Sequence, residues 1–199
     1  MSSAKRLLDL AGSSAGLLVL SPVLLGIALA VKLDSPGPVF FRQERIGLQG
    51  VPFRIHKFRT MTVDMTGMAR QITVGADRRI TRVGYVLRKY KLDELAQLID
   101  VFTGAMSLVG PRPEVPKYVA VYPSDVRDIV LSVKPGITDL ASIEYRDEST
   151  LLGQSDDPER TYIEEVLPAK LRYCVEYAQR HSVWLDVRII LRTIKAIVT

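Results

Sequence analysis

The residues with most chemistry in them are Arg88-Lys89-Tyr90-Lys91-Leu92-Asp93-Glu94-Leu95, where two adjacent carboxylates follow three cations. Two readings of the pair stand side by side. Asp93 is a good residue to cap a helix, and acids in a first turn complement the helix dipole. Alternatively, the cations and the dipole keep Asp93 ionised as an oxygen nucleophile, while Glu94 binds a metal or moves a proton. Hard oxygen ligands beside phosphates suit Mg²⁺, which takes few protein ligands and keeps its waters. A transferring phosphoryl group needs cations and donors around it, and the flanking sequence holds them. From Arg42 to Lys91 twelve Lys or Arg face three acids (Glu44, Asp64, Asp77), about +9 in a chain of formal charge +5. Such a field attracts phosphates of lipid headgroups, nucleotides or nucleic acid, and it equally suits a solvated basic face beside a membrane.

Other chemistries lack their residues. The 199-residue chain has one cysteine, Cys174, which excludes an internal disulfide and a multi-cysteine zinc site and fits a reducing compartment. His56 and His181 are the only histidines, and His56 lies among cations, where a neutral or phosphate-facing role suits it better than metal binding. No H-E-x-x-H, Walker A or dinucleotide fingerprint is present. Gly12-Ser13-Ser14-Ala15-Gly16 matches G-x-S-x-G, but no strand precedes it, so a nucleophile elbow is rejected; the same residues match a G-x-x-x-G helix-packing face. Hydrophobic residues make up 47% of the chain, which excludes disorder as its main state.

The elements that must position the dyad begin with Leu10 to Val31, which contains no charge. As a straight helix it is about 33 Å long, just enough to cross a hydrocarbon core. Lys5 and Arg6 precede it and Lys32 follows it. Three readings fit: a signal peptide ending near Ala28-Leu29-Ala30, a spanning helix, or a bent helix that enters one leaflet and returns. Pro22 removes a backbone donor near the middle, and Ser21 is placed to bond to the preceding turn, so a kink leaves two arms too short to cross. The residues leave spanning and bent forms even.

Asp34-Ser35-Pro36-Gly37-Pro38 breaks the chain and sets the boundary between residues 1–34 and a globular part, 35–199. Val39 to Ile46 and Val51 to Phe58 predict a hairpin around Gly47-Leu48-Gln49-Gly50, with Val51, Phe53 and Ile55 on one face and Arg54 and His56 on the other. Phe40, Phe41, Phe53 and Phe58 follow this strand alternation, which suits a core better than a platform for nucleic-acid bases. Met61 to Ala76 reads as irregular or partly helical. A helix of about ten residues begins near Asp93 and ends at Thr103-Gly104. Gly110-Pro111-Arg112-Pro113 is a stiff extended loop. Helices follow Ser124-Asp125, Asp157-Pro158 and Ser182. The last carries Trp184 with the basic series Arg188, Arg192 and Lys195, which suits either a membrane interface or ordinary core packing. The fold class expected is mainly α with a small β-hairpin.

Taken in order, Lys5-Arg6 with Asp9, Ser21-Pro22, Gly37-Pro38-Val39-Phe40-Phe41-Arg42-Gln43, Lys57-Phe58-Arg59-Thr60-Met61, Leu92-Asp93-Glu94-Leu95, Ser107-Leu108-Val109-Gly110-Pro111-Arg112-Pro113 and Lys134-Pro135-Gly136-Ile137-Thr138 strongly resemble the monotopic polyprenol-phosphate phosphoglycosyl transferases, the small bacterial sugar transferases. The resemblance covers nearly the whole chain. It implies transfer of a sugar-1-phosphate from a UDP-sugar to polyprenol phosphate, with release of UMP and with Mg²⁺, through a phosphosugar-aspartyl intermediate. By position Asp93 is the nucleophile and Glu94 its partner, with both carboxylates available to the metal. Arg112, flanked by Pro111 and Pro113, is the first candidate for phosphate and nucleotide contact, followed by Lys57, Arg59 and Arg88. The resemblance also implies a re-entrant membrane helix broken at Ser21-Pro22, a catalytic domain on the cytoplasmic face of the bacterial inner membrane, amphipathic helices at the interface, and membrane lipids rather than nucleic acid as partners. A homodimer is left open. One departure stands out: Gly-Trp-Ala-Gln-Val followed by Asn-Gly-Arg is replaced by Asp139-Leu140-Ala141-Ser142-Ile143-Glu144-Tyr145-Arg146, where Arg146 is the candidate for the motif arginine.

Overall fold

The computed structural model describes residues 2–62, 77–146 and 148–198. The apolar run folds as two helices, α1 (Ser3–Val19) and α2 (Ser21–Asp34), which meet at Leu20 with a bend of 63°. Pro22 has no N–H and sits in the first turn of α2, so the ladder of α1 cannot run through it. The Ser21 hydroxyl donates to the Leu18 carbonyl at 2.8 Å, using an acceptor that the break leaves without a helical partner. Among the described residues no single helix is long and apolar enough to cross a membrane.

Both arms rest on the globular part at their outer ends, and only the tip stands clear. Leu18, Val19, Val23 and Leu25 expose 77%, 76%, 48% and 71% of their surface, whereas Ile27 and Val31 are buried with Phe58, Leu87 and Ala96. On α1 the buried residues are polar: Lys5, Asp9 and Ser13.

The predicted hairpin forms from β1 (Phe40–Ile46) and β2 (Pro52–Phe58), antiparallel, with Phe40 opposite Phe58 and Ile46 opposite Pro52. Its turn needs left-handed backbone at Gln49 (φ 55°) and Gly50 (φ 78°). Ile55 packs on Val101 and Met106, and strand alternation puts Lys57 on the same face. Phe58 is buried in the core on the opposite face. Beyond Thr62, the segment expected to be irregular lies outside the described residues. Met61 pairs with Ile80.

Helix α3 (Arg82–Lys89) starts on Thr81, whose hydroxyl accepts the Gly84 N–H at 3.0 Å. After the left-handed Lys91 (φ 56°) comes a 3₁₀ segment, Leu92–Gln97, then α4 (Leu98–Thr103), which ends at Gly104 with φ 93°. The predicted helix is therefore present, but its first half is wound more tightly. Strand β3 (Ser107–Val109) leads into the Pro-Arg-Pro loop, α5 (Pro116–Val119), α6 (Ser124–Val130) and β4 (Gly136–Thr138). β3 and β4 pair in parallel, an element absent from the sequence reading. Their backbones cross so closely that a Cβ on Gly136 would lie 2.0 Å from the Gly110 nitrogen.

The chain continues through α7 (Leu140–Glu144), α8 (Glu148–Gly153), α9 (Pro158–Thr161), a π turn at Tyr162–Val166, α10 (Leu167–Arg180) and α11 (Val183–Val198). Asp157 caps α9 through the Arg160 N–H at 3.1 Å, and Ser182 accepts the Leu185 N–H at 3.2 Å, as their residue types predict. The main core joins Val115, Tyr118, Leu152, Tyr162, Val166, Leu171 and Cys174. The architecture is mainly helical with a small antiparallel hairpin and the additional parallel pair.

Polar residues of α1 lock it to this body. The Lys5 ammonium donates to Asp186 Oδ2 (2.7 Å), the Val109 carbonyl (3.0 Å) and the Tyr177 hydroxyl (3.1 Å). Asp9 Oδ1 accepts the Ser107 hydroxyl at 2.9 Å and the Leu108 N–H at 3.0 Å. Arg6 donates to the carbonyls of Val101 and Phe102 at the end of α4. The G-x-x-x-G residues are a packing face within the chain: a Cβ on Gly12 would meet Leu108 at 2.6 Å, and one on Gly16 would meet Leu98 at 3.1 Å.

Candidate active site

The 3₁₀ segment and β2 bring the carboxylate pair to Lys57, and the loop after β3 brings Arg112. Glu94 receives both cations. Lys57 Nζ donates to Glu94 Oε1 at 2.8 Å, Arg112 Nη1 donates to Oε2 at 3.0 Å, and Arg112 Nη2 also binds Oε1, a two-point grip on one carboxylate. Burial works to raise the Glu94 carboxyl, but Arg112 and Lys57 together hold it well below the usual carboxylate range.

Asp93 is treated differently. It is 9% exposed, and among the described residues its carboxylate makes no hydrogen bond or ion pair. Burial pushes its carboxyl above the ordinary value and the Glu94 charge adds to this, against the pull of Lys57, Arg112 and Arg88. Of the three flanking cations expected to act on Asp93, Arg88 does so through its charge, while Lys57 and Arg112 bond Glu94. The helix-cap reading of Asp93 is corrected, because Lys91 occupies the cap position and no side chain caps that helix start.

The other candidates separate. Arg88, in the last turn of α3, acts on Asp93 through its charge. Pro111 and Pro113 are buried on either side of Arg112. Arg59 is not brought to the pair. It is 4% exposed and its guanidinium donates to the carbonyls of Pro36 (2.5 Å), Ser35 (2.7 Å) and Val31 (3.3 Å), closing the end of α2. Arg146 is exposed and binds the Ala196 carbonyl on α11, not the carboxylate pair. His56 turns to Asp100, with Nδ1 2.7 Å from Oδ1, and its other ring nitrogen meets Arg42.

Three contributors escaped the sequence reading. Arg45 donates to the Pro113 carbonyl at 2.9 Å and pairs with Glu114 at 3.7 Å. Gln97, 2% exposed, lines a small pocket with Arg45, Lys57 and Arg112, and among the described residues its side chain makes no hydrogen bond. Asp139 accepts the Arg112 backbone N–H at 3.2 Å. Strand alternation signalled Arg45 weakly, since it lies across from Phe53. Nothing local signalled the other two.

Three cations around one pocket, beside a buried carboxylate that has no partner among the described residues, make an arrangement able to receive anions and to offer an oxygen nucleophile. Among the described residues no group of three or more His, Cys, Asp or Glu is placed to hold a metal. Asp93 and Glu94 alone still fit Mg²⁺, which commonly takes one or two carboxylates and completes its shell with phosphates and water.

The family model described as bacterial sugar transferase matches residues 1–199. The chain belongs to the bacterial sugar transferase family. Relatives in this family include the UDP-glucose:undecaprenyl-phosphate glucose-1-phosphate transferases of Escherichia coli K12 (40% identical, covering 96% of this chain and 39% of the relative) and Caulobacter vibrioides (37%, 98% and 70%). The UDP-N-acetylgalactosamine-undecaprenyl-phosphate N-acetylgalactosaminephosphotransferase of Aeromonas hydrophila is 36% identical over 98% of this chain and 44% of its own. The chain thus spans about two fifths of the length of two of these three bacterial sugar transferases.

Proposed function

We propose that this chain transfers a sugar-1-phosphate from a UDP-sugar to undecaprenyl phosphate, releasing UMP, at the cytoplasmic face of a bacterial inner membrane. The observation that carries the reading is the contrast within the dyad, a buried Asp93 carboxylate with no partner among the described residues beside a Glu94 gripped by Arg112 and Lys57. Family membership and the names of the relatives support it.

In this mechanism an Asp93 oxygen attacks the β-phosphorus of the UDP-sugar. The bond from that phosphorus to the bridging oxygen breaks, and UMP leaves with the electron pair. An oxygen of undecaprenyl phosphate then attacks the same phosphorus and frees Asp93 as carboxylate. Glu94 holds Arg112 and Lys57 at the pocket, where their charges stabilise the phosphoryl oxygens as negative charge redistributes. Arg88 supplies a further positive charge beside Asp93. Asp93 and Glu94 would hold Mg²⁺, which would supply positive charge against the diphosphate.

The bent pair α1–α2 enters one leaflet by its apolar tip, with Lys5, Arg6 and Lys32 on the cytoplasmic side, and residues 35–199 form the catalytic domain. The exposed Trp184, Leu191 and Ile194 of α11 face the interface beside Arg188 and Arg192.

The test is UMP release from a panel of UDP-sugars in the presence of undecaprenyl phosphate, with label from the sugar and β-phosphate followed onto protein. Trapped label that disappears in Asp93→Asn is expected; unchanged turnover in that variant rejects the mechanism. A cysteine at position 2 that reacts only from the periplasmic side rejects the re-entrant arrangement.

A further inference from the structure

We infer that Asp139, which opens the stretch where this chain departs from the pattern it resembles, is a positioning residue for Arg112. The inference rests on the catalytic role proposed for that arginine.

The argument starts from backbone donors. In Pro111-Arg112-Pro113 the prolines have no N–H, so the Arg112 amide is the one backbone donor that can tie down the loop. Upstream the parallel ladder is intact: Ser107 N–H donates to the Pro135 carbonyl (2.8 Å), Gly110 N–H to the Thr138 carbonyl (3.1 Å), and Gly136 N–H returns to the Pro111 carbonyl (3.0 Å). The next rung would need a strand partner beyond Thr138, but there the chain turns into α7 at Leu140. A side chain fills the gap. Asp139 Oδ2 accepts the Arg112 N–H at 3.2 Å, while Oδ1 accepts the Ser142 N–H at 2.7 Å and caps α7. Asp139 is 2% exposed, so these bonds are shielded from water. One buried carboxylate therefore joins the start of α7 to the base of the arginine whose far end grips Glu94. Freed of that bond, the loop keeps its proline stiffness and the Gly136 bond to the Pro111 carbonyl but loses its tie to α7, and the forked contact with Glu94 tolerates little displacement.

Asp139→Ser separates the two bonds. Serine remains a good helix cap, but its single short hydroxyl cannot serve both amides. In the full chain supplied with undecaprenyl phosphate and a UDP-sugar it turns over, Asp139→Ser is expected to keep a melting temperature near the parent and to lose about 10- to 100-fold in kcat/KM. Arg112→Ala/Asp139→Ser is expected to be no slower than Arg112→Ala alone, since the serine acts through the arginine. Parental kcat/KM in Asp139→Ser, or losses that simply multiply in the double variant, overturn the inference. If Asp139→Ser folds poorly, Asp139→Asn, with one acceptor oxygen in place of two, carries the same comparison. Backbone hydrogen exchange at Arg112 reads the bond without turnover: a slow amide in the parent that becomes fast in Asp139→Ser supports the link, and equal rates overturn it. A parent that releases no UMP, or Arg112→Ala at the parental rate, fails the proposed function instead, and the exchange experiment still decides Asp139.

Discussion

Arg112 grips Glu94 with both terminal nitrogens, although the neighbouring Asp93 is the buried carboxylate without a partner among the described residues. Two adjacent acids on one tight turn thus have opposite environments: one is neutralised by cations and the other is pushed toward its neutral form by burial.

That contrast predicts different stability effects for two isosteric substitutions that the proposed mechanism expects to stop turnover. Glu94→Gln leaves Lys57 and Arg112 facing an uncharged amide, and because all three groups are partly accessible the expected loss is about 1–3 kcal/mol, below that for a fully buried pair. Asp93→Asn removes a buried charge that repels Glu94 and breaks no hydrogen bond, so stability is expected to change by less than about 0.5 kcal/mol or to rise. Urea unfolding of both variants checks the order; an Asp93→Asn variant that is the weaker of the two contradicts it.

One of the polar anchors of the first helix is a buried ion pair. Lys5 and Asp186 are 6% and 1% exposed at their side chains and 2.7 Å apart, so removing either one strands a buried charge. Asp186→Asn or Lys5→Met is expected to cost about 3–5 kcal/mol. The double variant Lys5→Met/Asp186→Asn should cost clearly less than the sum, because it leaves no lone charge. Denaturant unfolding of the three variants measures this, and simple additivity would show that the pair contributes nothing specific.

Alkaline pH should unfold the protein from a defined point. Burial, helped by Asp139, pushes the Cys174 thiol well above its ordinary 9.0, and burial likewise raises Tyr122, Tyr162 and Tyr177 above 10.0. Above those ordinary values the unfolded chain loses protons that the folded chain keeps, so their contribution is complete below about pH 9 and is lost as pH rises. The melting temperature is expected to be flat from pH 7 to 9 with respect to these groups and then to fall, with a later onset in Cys174→Ala. At pH 8 a thiol reagent should modify Cys174 only after denaturation; rapid labelling of the native chain would contradict its burial.

Local signals in the sequence were enough for several boundaries. The Ser21-Pro22 break, the hairpin turn, the stop at Gly104 and the starts at Asp157-Pro158 and Ser182 each follow from one residue's missing donor, left-handed freedom or capping oxygen. The α3 helix was missed, because its start depends on one threonine before a short polar-faced run. The parallel pair β3–β4 was missed because three-residue strands have no readable period.

For the candidate site, residue types and order singled out Asp93 and Glu94 with their flanking cations as groups able to do phosphate chemistry, and the family resemblance added Arg112 and Lys57. Only the tertiary structure decided which cation meets which carboxylate: Arg112 and Lys57 go to Glu94, Arg59 goes to the end of α2, Arg146 goes to α11, and Asp139 arrives beneath Arg112. The physical reason is range. Propensities and caps act within a turn of chain, whereas a charge takes whichever partner folding brings to hydrogen-bond distance, and the long flexible arms of lysine and arginine leave that choice open until the core has packed.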